Sequence, residues 1–145
     1  MSRRIAVLVP CRDEAVTIAK VVADFQAALP GAENHVYDND SRDDSAARAR
    51  AAGARVRHVA RPGKAEVMRR LFADVEADAY LMVDGDDTYD AASAPALVRA
   101  LFEDGADMAI AVREGREGAY RPGHAFGNRL FSGFLSWLFG QRCRD

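Results

Sequence analysis

The stretch "IAVLVPCRDEAVTIAKVVADFQAALPG", residues 5–31, decides the fold. Its first five residues form a short apolar run that Pro10 closes, which reads as a buried strand. After the polar cluster "PCRDE", Ile18, Val21, Val22, Phe25 and Leu29 recur at helical spacing. Thr17 stands where a helix cap belongs, and Pro30 with Gly31 supplies the stop. Strand, polar turn and helix make one βα unit.

The same grammar continues outward. Further strands are predicted at 35–37, 55–59, 80–83 and 108–112. Between them, "DDSAARARAAG" reads as a cap and an alanine-rich helix ending at Gly53, and "GKAEVMRRLFADVE" places Val67, Leu71 and Val75 on one helical face. "APALVRALFEDG" gives a fourth helix, closed by Gly105. Parallel strands need crossovers, so successive βα units predict an α/β fold with a mostly parallel sheet and helices on both faces. The 145 residues suit a single domain with a real core, and no repeat or linker divides them.

Composition excludes several classes. Apolar residues make up 49% and charged residues 29%, the balance of a folding chain rather than a disordered one. A net charge of -2 argues against a nucleic-acid-binding surface. Ten acids and one base occupy residues 74–107, whereas residues 113–145 hold six arginines against three acids. That asymmetry suits a cation and an anionic ligand meeting between the two regions. Cys11 and Cys143 form no metal-ligand cluster and read as reduced thiols of a cytoplasmic protein. The five-residue run before Pro10 is too short for a signal-peptide core or a membrane span.

In parallel sheets ligands bind outside the carboxyl ends of the strands. Every predicted strand is followed there by a polar cluster: "PCRDE", "DNDSRDD", "RPGK", "DGDDTYD" and "REGRE". In "DGDDTYD" the carboxylates of Asp84, Asp86 and Asp87 would repel one another unless their pKa values rise or a cation binds. A hard divalent ion, Mg2+ or Mn2+, takes oxygen ligands and completes its shell with water and phosphates. Gly85 allows close approach. Asp84 and Asp86 read as the functional pair, with Asp87 and Asp90 shaping the turn and starting the next helix.

At the other strand ends the residues leave two readings open. Asp38 can accept hydrogen bonds from a base or ribose, or belong with Ser41 and Asp43 to an Asx turn and helix cap. Glu14 can reach a nucleotide or simply favour the start of the first helix. Gly63 and Lys64 resemble a fragment of a phosphate loop without its full motif. His35, His58 and His124 show no ligand spacing, and no Ser-His-Asp arrangement is evident.

Taken in order, "VLVPCRDEAVTI", "VYDNDSRDDS", "RPGKAEVM", "YLMVDGDDTYD" and "GNRLFSGFLSWLFG" resemble the family 2 glycosyltransferases of GT-A fold. The likeness is to the branch with dolichol-phosphate mannose synthases and bacterial polyprenyl-phosphate glycosyltransferases. It implies a Rossmann-like, three-layer α/β/α domain, with a nucleotide-sugar-binding part (1–112) and the start of an acceptor-side part (113–145). The resemblance implies that Pro10, Arg12 and Glu14 line the nucleotide pocket, with Asp38 near the base and Gly63 and Lys64 closing beside it. Asp84 and Asp86 look like the family's D-x-D, with Gly85 between them: Asp86 would coordinate the metal, and Asp84 would contact the metal or the ribose side. Arg113 and Arg129 would approach the diphosphate or an acceptor phosphate. Arg12, Asp13, Asn39 and Asp40 depart from the family's usual Tyr, Asn, Asp and Gly. The family usually continues past "LFG" into an acceptor-side segment that begins with an Asp, here matched only by Asp145.

The implied reaction moves a sugar, with inversion, from a UDP- or GDP-sugar donor to an acceptor, while the ion offsets charge growing on the β-phosphate. A polyprenyl phosphate acceptor is already anionic near neutral pH; a sugar hydroxyl needs a positioned carboxylate, for which Asp145 is the candidate. Residues 126–139 place Phe126, Leu130, Phe131, Phe134, Leu135, Leu138 and Phe139 on one broad helical face. That face either packs on the sheet or lies at the cytoplasmic face of a membrane beside a lipid acceptor, and exposed it would drive self-association. Two rivals stand beside this reading. One is a non-catalytic nucleotide- and metal-binding module. The other takes "DGDDT" as the nucleophile motif of haloacid-dehalogenase-type phosphatases, but there the motif follows the first strand and precedes its lysine.

Overall fold

A computed structural model of the chain describes residues 3–111. The chain divides at Ala109, and the described residues belong almost wholly to the first unit, Met1–Ala109. The elements run β1 (Ile5–Cys11), α1 (Ile18–Ala28), β2 (Glu33–Asp38), α2 (Ser45–Ala51), β3 (Arg55–His58), α3 (Lys64–Asp74), β4 (Ala79–Met82), a 3-10 turn (Ala91–Ser93) and α4 (Ala94–Phe102). The four strands form one sheet in the order β3-β2-β1-β4, and every pair is parallel.

Alternation along β1 explains the layers. Val7, Val9 and Cys11 point to one face, where they meet Val36 of β2, Ile18, Val21, Val22 and Phe25 of α1, Ala49 of α2 and Ala94 of α4. Ala6 and Leu8 point to the other, against Val67 and Leu71 of α3, with Tyr37 and Val75. Covered on both faces, the central strand must be apolar at nearly every position, which is why its sequence is a continuous run rather than an alternation. Val7, Leu8 and Val9 are wholly buried, and each contributes roughly 1.5–3 kcal/mol. The result is the expected three-layer α/β/α arrangement.

Pro10 does not end the first strand. β1 runs through it to Cys11 and pairs Pro10 with Tyr37 and Cys11 with Asp38. The fifth strand, predicted at 108–112, is not formed over 108–111. Met108 and Ile110 do alternate with alanines, but their side chains are 74% and 73% exposed, and among the described residues no ladder hydrogen bonds hold the segment. A period-two pattern becomes a strand only where a neighbouring edge pairs with it.

The strand order fixes where a ligand can enter. From β1 the chain steps outward through β2 to β3, then crosses back over α3 to β4 on the opposite side of β1. The loops after β1 and β4 therefore flank the point at which the order reverses, where such sheets open a crevice.

Candidate functional site

Four loops converge at this crevice. The turn after β1 reverses through Asp13 in the left-handed region, φ +54°, a conformation that aspartate tolerates because its short side chain bonds locally. Asp13 Oδ1 accepts from the Arg42 amide at 2.7 Å, while the Asp13 amide donates to Ser41 Oγ at 2.9 Å. The Glu14 amide donates to Ser45 Oγ at 2.7 Å. Asp43 accepts from the Ala15 amide and from both the amide and hydroxyl of Ser45, so it ties the two turns together. Asp40, where the resembling family has glycine, also takes a positive φ, +59°.

Asn39 organises the third loop. Buried at 4% exposure, it donates from Nδ2 to the carbonyls of Val59 (2.9 Å) and Arg61 (2.8 Å), and its Oδ1 accepts from the Gly63 amide at 2.9 Å. Every amide hydrogen-bonding direction of that side chain toward the loop is spent on backbone. Gly63, at φ +121°, then starts α3 and aims Lys64 into the crevice. No apolar or charged side chain offers this pairing of two donors and an acceptor, and the sequence showed Asn39 only as a member of a polar run and a departure from the resembling family's usual Asp.

The fourth loop carries the aspartates. Lys64 Nζ lies 2.5 Å from Asp84 Oδ1. Asp86 Oδ1 accepts from the amide (3.1 Å) and hydroxyl (2.7 Å) of Thr88. Asp87, at φ +63°, pairs with Lys20 at 2.8 Å, and Asp90 accepts from the Ala92 amide to start the 3-10 turn. Gly85 sits against Glu14: a Cβ there would overlap Glu14 Oε2 and come within 3.1 Å of Ile18 Cδ1. Thr17, expected as a cap, makes no side-chain cap bond; its hydroxyl donates to the Gly85 carbonyl at 2.6 Å, anchoring the aspartate loop to α1.

These loops enclose a cavity of about 230 Å3, lined by Pro10, Cys11, Arg12, Glu14, Asn39, Gly63, Lys64, Val67, Asp84 and Asp86. It gathers most of the residues singled out in the sequence. Among the described ones Asp38 and Gly85 do not line it; Gly85 lies behind the wall against Glu14, and Asp38 stands apart. It is buried at 5% exposure, with Oδ2 3.4 Å from the Ser41 amide and 3.5 Å from His58 Nδ1, and with Oδ1 unpartnered, but it does not line the cavity. Arg113, Arg129, Asp145 and the apolar face at 126–139 lie outside the described residues.

Electrostatics separate the roles. Burial pushes the Glu14 carboxyl up, opposed by hydrogen bonds from Cys11 and the Arg12 backbone and reinforced by the charges of Asp86 and Asp84. The hydrogen bond to Asp84 raises Lys64. Burial drives the Cys11 thiol far above its ordinary range, so it packs as a neutral group rather than a nucleophile. Among the described residues no three His, Cys, Asp or Glu side chains cluster as a complete metal cage. Two hard carboxylates on a glycine-pinned loop, open to a cavity that also holds Arg12 and Lys64, fit instead an ion that takes the rest of its shell from water and phosphates.

The model of "Glycosyl transferase family 2" matches residues 6–140. The chain belongs to this family. As a family 2 glycosyltransferase chain it is 49% identical over 125 residues to Protein RfbJ of Shigella flexneri, covering 85% of this chain and 97% of that protein. It is 34% identical to glycosyltransferase AglJ of Haloferax volcanii over 97% of this chain but 47% of AglJ. Among solved structures, Mycobacterium tuberculosis glucosyl-3-phosphoglycerate synthase superposes with a TM-score of 0.64 at 32% identity, over 70% of this chain and 42% of that one. The same enzyme in complex with Mn2+, UDP and glucosyl-3-phosphoglycerate gives a TM-score of 0.64 at 32% identity, over 70% and 40%. The chain thus spans nearly all of RfbJ and about half or less of the others. The GT-A fold follows, and the phosphatase reading of "DGDDT" falls: the motif closes β4, not the first strand.

Proposed function

We propose that this chain is the donor-binding domain of a metal-assisted glycosyltransferase that moves a sugar, with inversion, from a UDP-sugar to a phosphate-bearing acceptor such as a polyprenyl phosphate. The observation that carries the reading is the single cavity shared by Arg12, Glu14, Lys64, Asp84 and Asp86 at the reversal of strand order. The relative solved with Mn2+, UDP-glucose and phosphoglyceric acid supports a uridine donor and an anionic acceptor over the GDP-sugar alternative.

In this reading Asp84 and Asp86 hold the Mg2+ or Mn2+ ion, which offsets negative charge on the departing diphosphate. Lys64 and Arg12 supply the cationic wall for the same phosphates, and Asn39 fixes the turn from which Lys64 reaches. Pro10 and Glu14 form the wall beside the nucleoside, and buried Asp38 supports the base from behind. Arg113 and Arg129 serve the acceptor side, with Asp145 as base only if the acceptor is a hydroxyl. An already anionic phosphate oxygen needs no such base. Among the described residues no helix is long and apolar enough to cross a membrane, so membrane contact in this reading belongs to residues 126–139.

The test is UDP release and sugar transfer from UDP-glucose and related UDP-sugars, with Mn2+ and a short polyprenyl phosphate. Asp86→Ala is expected to reduce turnover by about 100-fold or more. Tight UDP binding without any release of UDP would identify a non-catalytic binding module instead.

A further inference from the structure

Lys64 brings an exposed ammonium to the cavity. Its ammonium is bonded to Asp84 Oδ1 at 2.5 Å, yet its side chain remains 64% exposed, against 29% for Asp84. The backbone that launches it is held by Asn39 through Gly63, whereas the four-carbon stem is free to swing. Arg12, the other cation on the cavity wall among the described residues, leans toward Asp13 at 3.9 Å. One carboxylate of the D-x-D therefore already carries a protein cation that a different anion within reach could take over.

We propose that Lys64 and the divalent ion compete for Asp84, so that ion binding and release of the lysine are one exchange, with the freed ammonium passing to the donor's diphosphate. The inference rests on reading Asp84 and Asp86 as the ion's ligands. A divalent ion such as Mg2+ sits about 2.0–2.1 Å from its carboxylate oxygens, which leaves no place for an ammonium on the same lone pair and repels it from the neighbourhood. Diphosphate offers Lys64 a new partner at the moment it loses the old one. Nucleotide must then strengthen ion binding, and the ion must strengthen nucleotide binding by the same factor. The lysine thereby biases the site toward the ion–nucleotide complex and against the bare ion. It is a specificity-determining residue rather than only a phosphate contact.

A phosphate contact alone would leave nucleotide-free ion affinity untouched, and that difference is measurable. Mn2+ is titrated into the 145-residue chain by electron paramagnetic resonance of the free ion, with and without UDP. Without nucleotide, Lys64→Met is expected to bind Mn2+ about three- to fivefold more tightly than wild type, and the factor by which UDP tightens Mn2+ should shrink correspondingly. Lys64→Arg keeps the charge and should stay within about twofold of wild type. Lys20→Met removes a cation from Asp87 beside the same loop and should likewise change affinity by less than about twofold. Circular dichroism verifies that each variant is folded. Unchanged or weaker nucleotide-free affinity in Lys64→Met, or equal tightening in Lys20→Met, overturns the exchange. If wild type binds Mn2+ and Asp86→Ala abolishes it while Lys64→Met has no effect, the ion site stands and the exchange fails. If no Mn2+ binds with or without UDP, both are overturned.

Discussion

At the scale of single residues, the site depends on close approach. Gly85 separates the two carboxylates and lies against the half-buried Glu14 side chain, whose buried Oε2 has no hydrogen-bond partner. Any side chain at position 85 must displace either Glu14 or the fully buried Ile18. Gly85→Ala is expected to destabilise the fold by about 1–3 kcal/mol, and adding Glu14→Ala should recover part of that loss by making room. Urea denaturation of the two single variants and the double variant closes the cycle; strictly additive effects would contradict the packing account. That Asp84, Asp86 and Lys64 gather at one cavity was legible in their strand-end positions. The contact between Glu14 and Gly85 was not, because 71 positions of chain separate them and only the parallel pairing of β1 with β4 brings them together.

At the scale of elements, helices and strands are joined by polar ties that local patterns do not encode. Thr17 occupies a cap position, but its hydroxyl serves the loop after β4. Asp74, the last residue of α3, receives hydrogen bonds from Arg57 of β3, from Arg70 one turn earlier (3.1 Å) and from Tyr37 of β2 (3.2 Å). Burial alone would push the Asp74 carboxyl up, but the bonds from Arg57 and Tyr37 and the charges of Arg57 and Arg70 outweigh it and hold the carboxyl below its ordinary value. A carboxyl depressed in the folded state stabilises above its unfolded pKa, and that contribution is lost as pH falls through the folded value. Asp74→Asn should therefore lower the melting temperature at pH 7, with the gap to wild type narrowing below about pH 3.9. A gap that stayed constant from pH 7 to pH 3 would show that the ionised form contributes nothing. The helix predictions survived because 3.6-residue periodicity records burial on one face. The strand predicted at 108–112 is not formed over 108–111, because alternation alone supplies no partner strand.

At the scale of the whole molecule, binding and folding are linked, since the cavity draws its walls from the loops after β1, β2, β3 and β4. A UDP and Mn2+ mixture at about 100 times its dissociation constant should stabilise the fold by about 2.7 kcal/mol, visible as a raised melting temperature that Asp86→Ala removes. A melting temperature unmoved by UDP, by GDP and by Mn2+ in any combination would refute donor binding. By itself the sequence determined that strands alternate with helices, that the sheet is parallel, and that acidic and basic groups collect at the strand ends, because periodicity and turn chemistry are local properties of the chain. Only the tertiary structure decided which strand ends are neighbours. The order β3-β2-β1-β4 sets the loop of Glu14 against that of Gly85. It also gives Lys64 to Asp84, turns Asn39 into the clamp of the α3 turn, and leaves Asp38 off the cavity wall. Those pairings join residues far apart in the chain, and burial of both faces of β1 is what selects them.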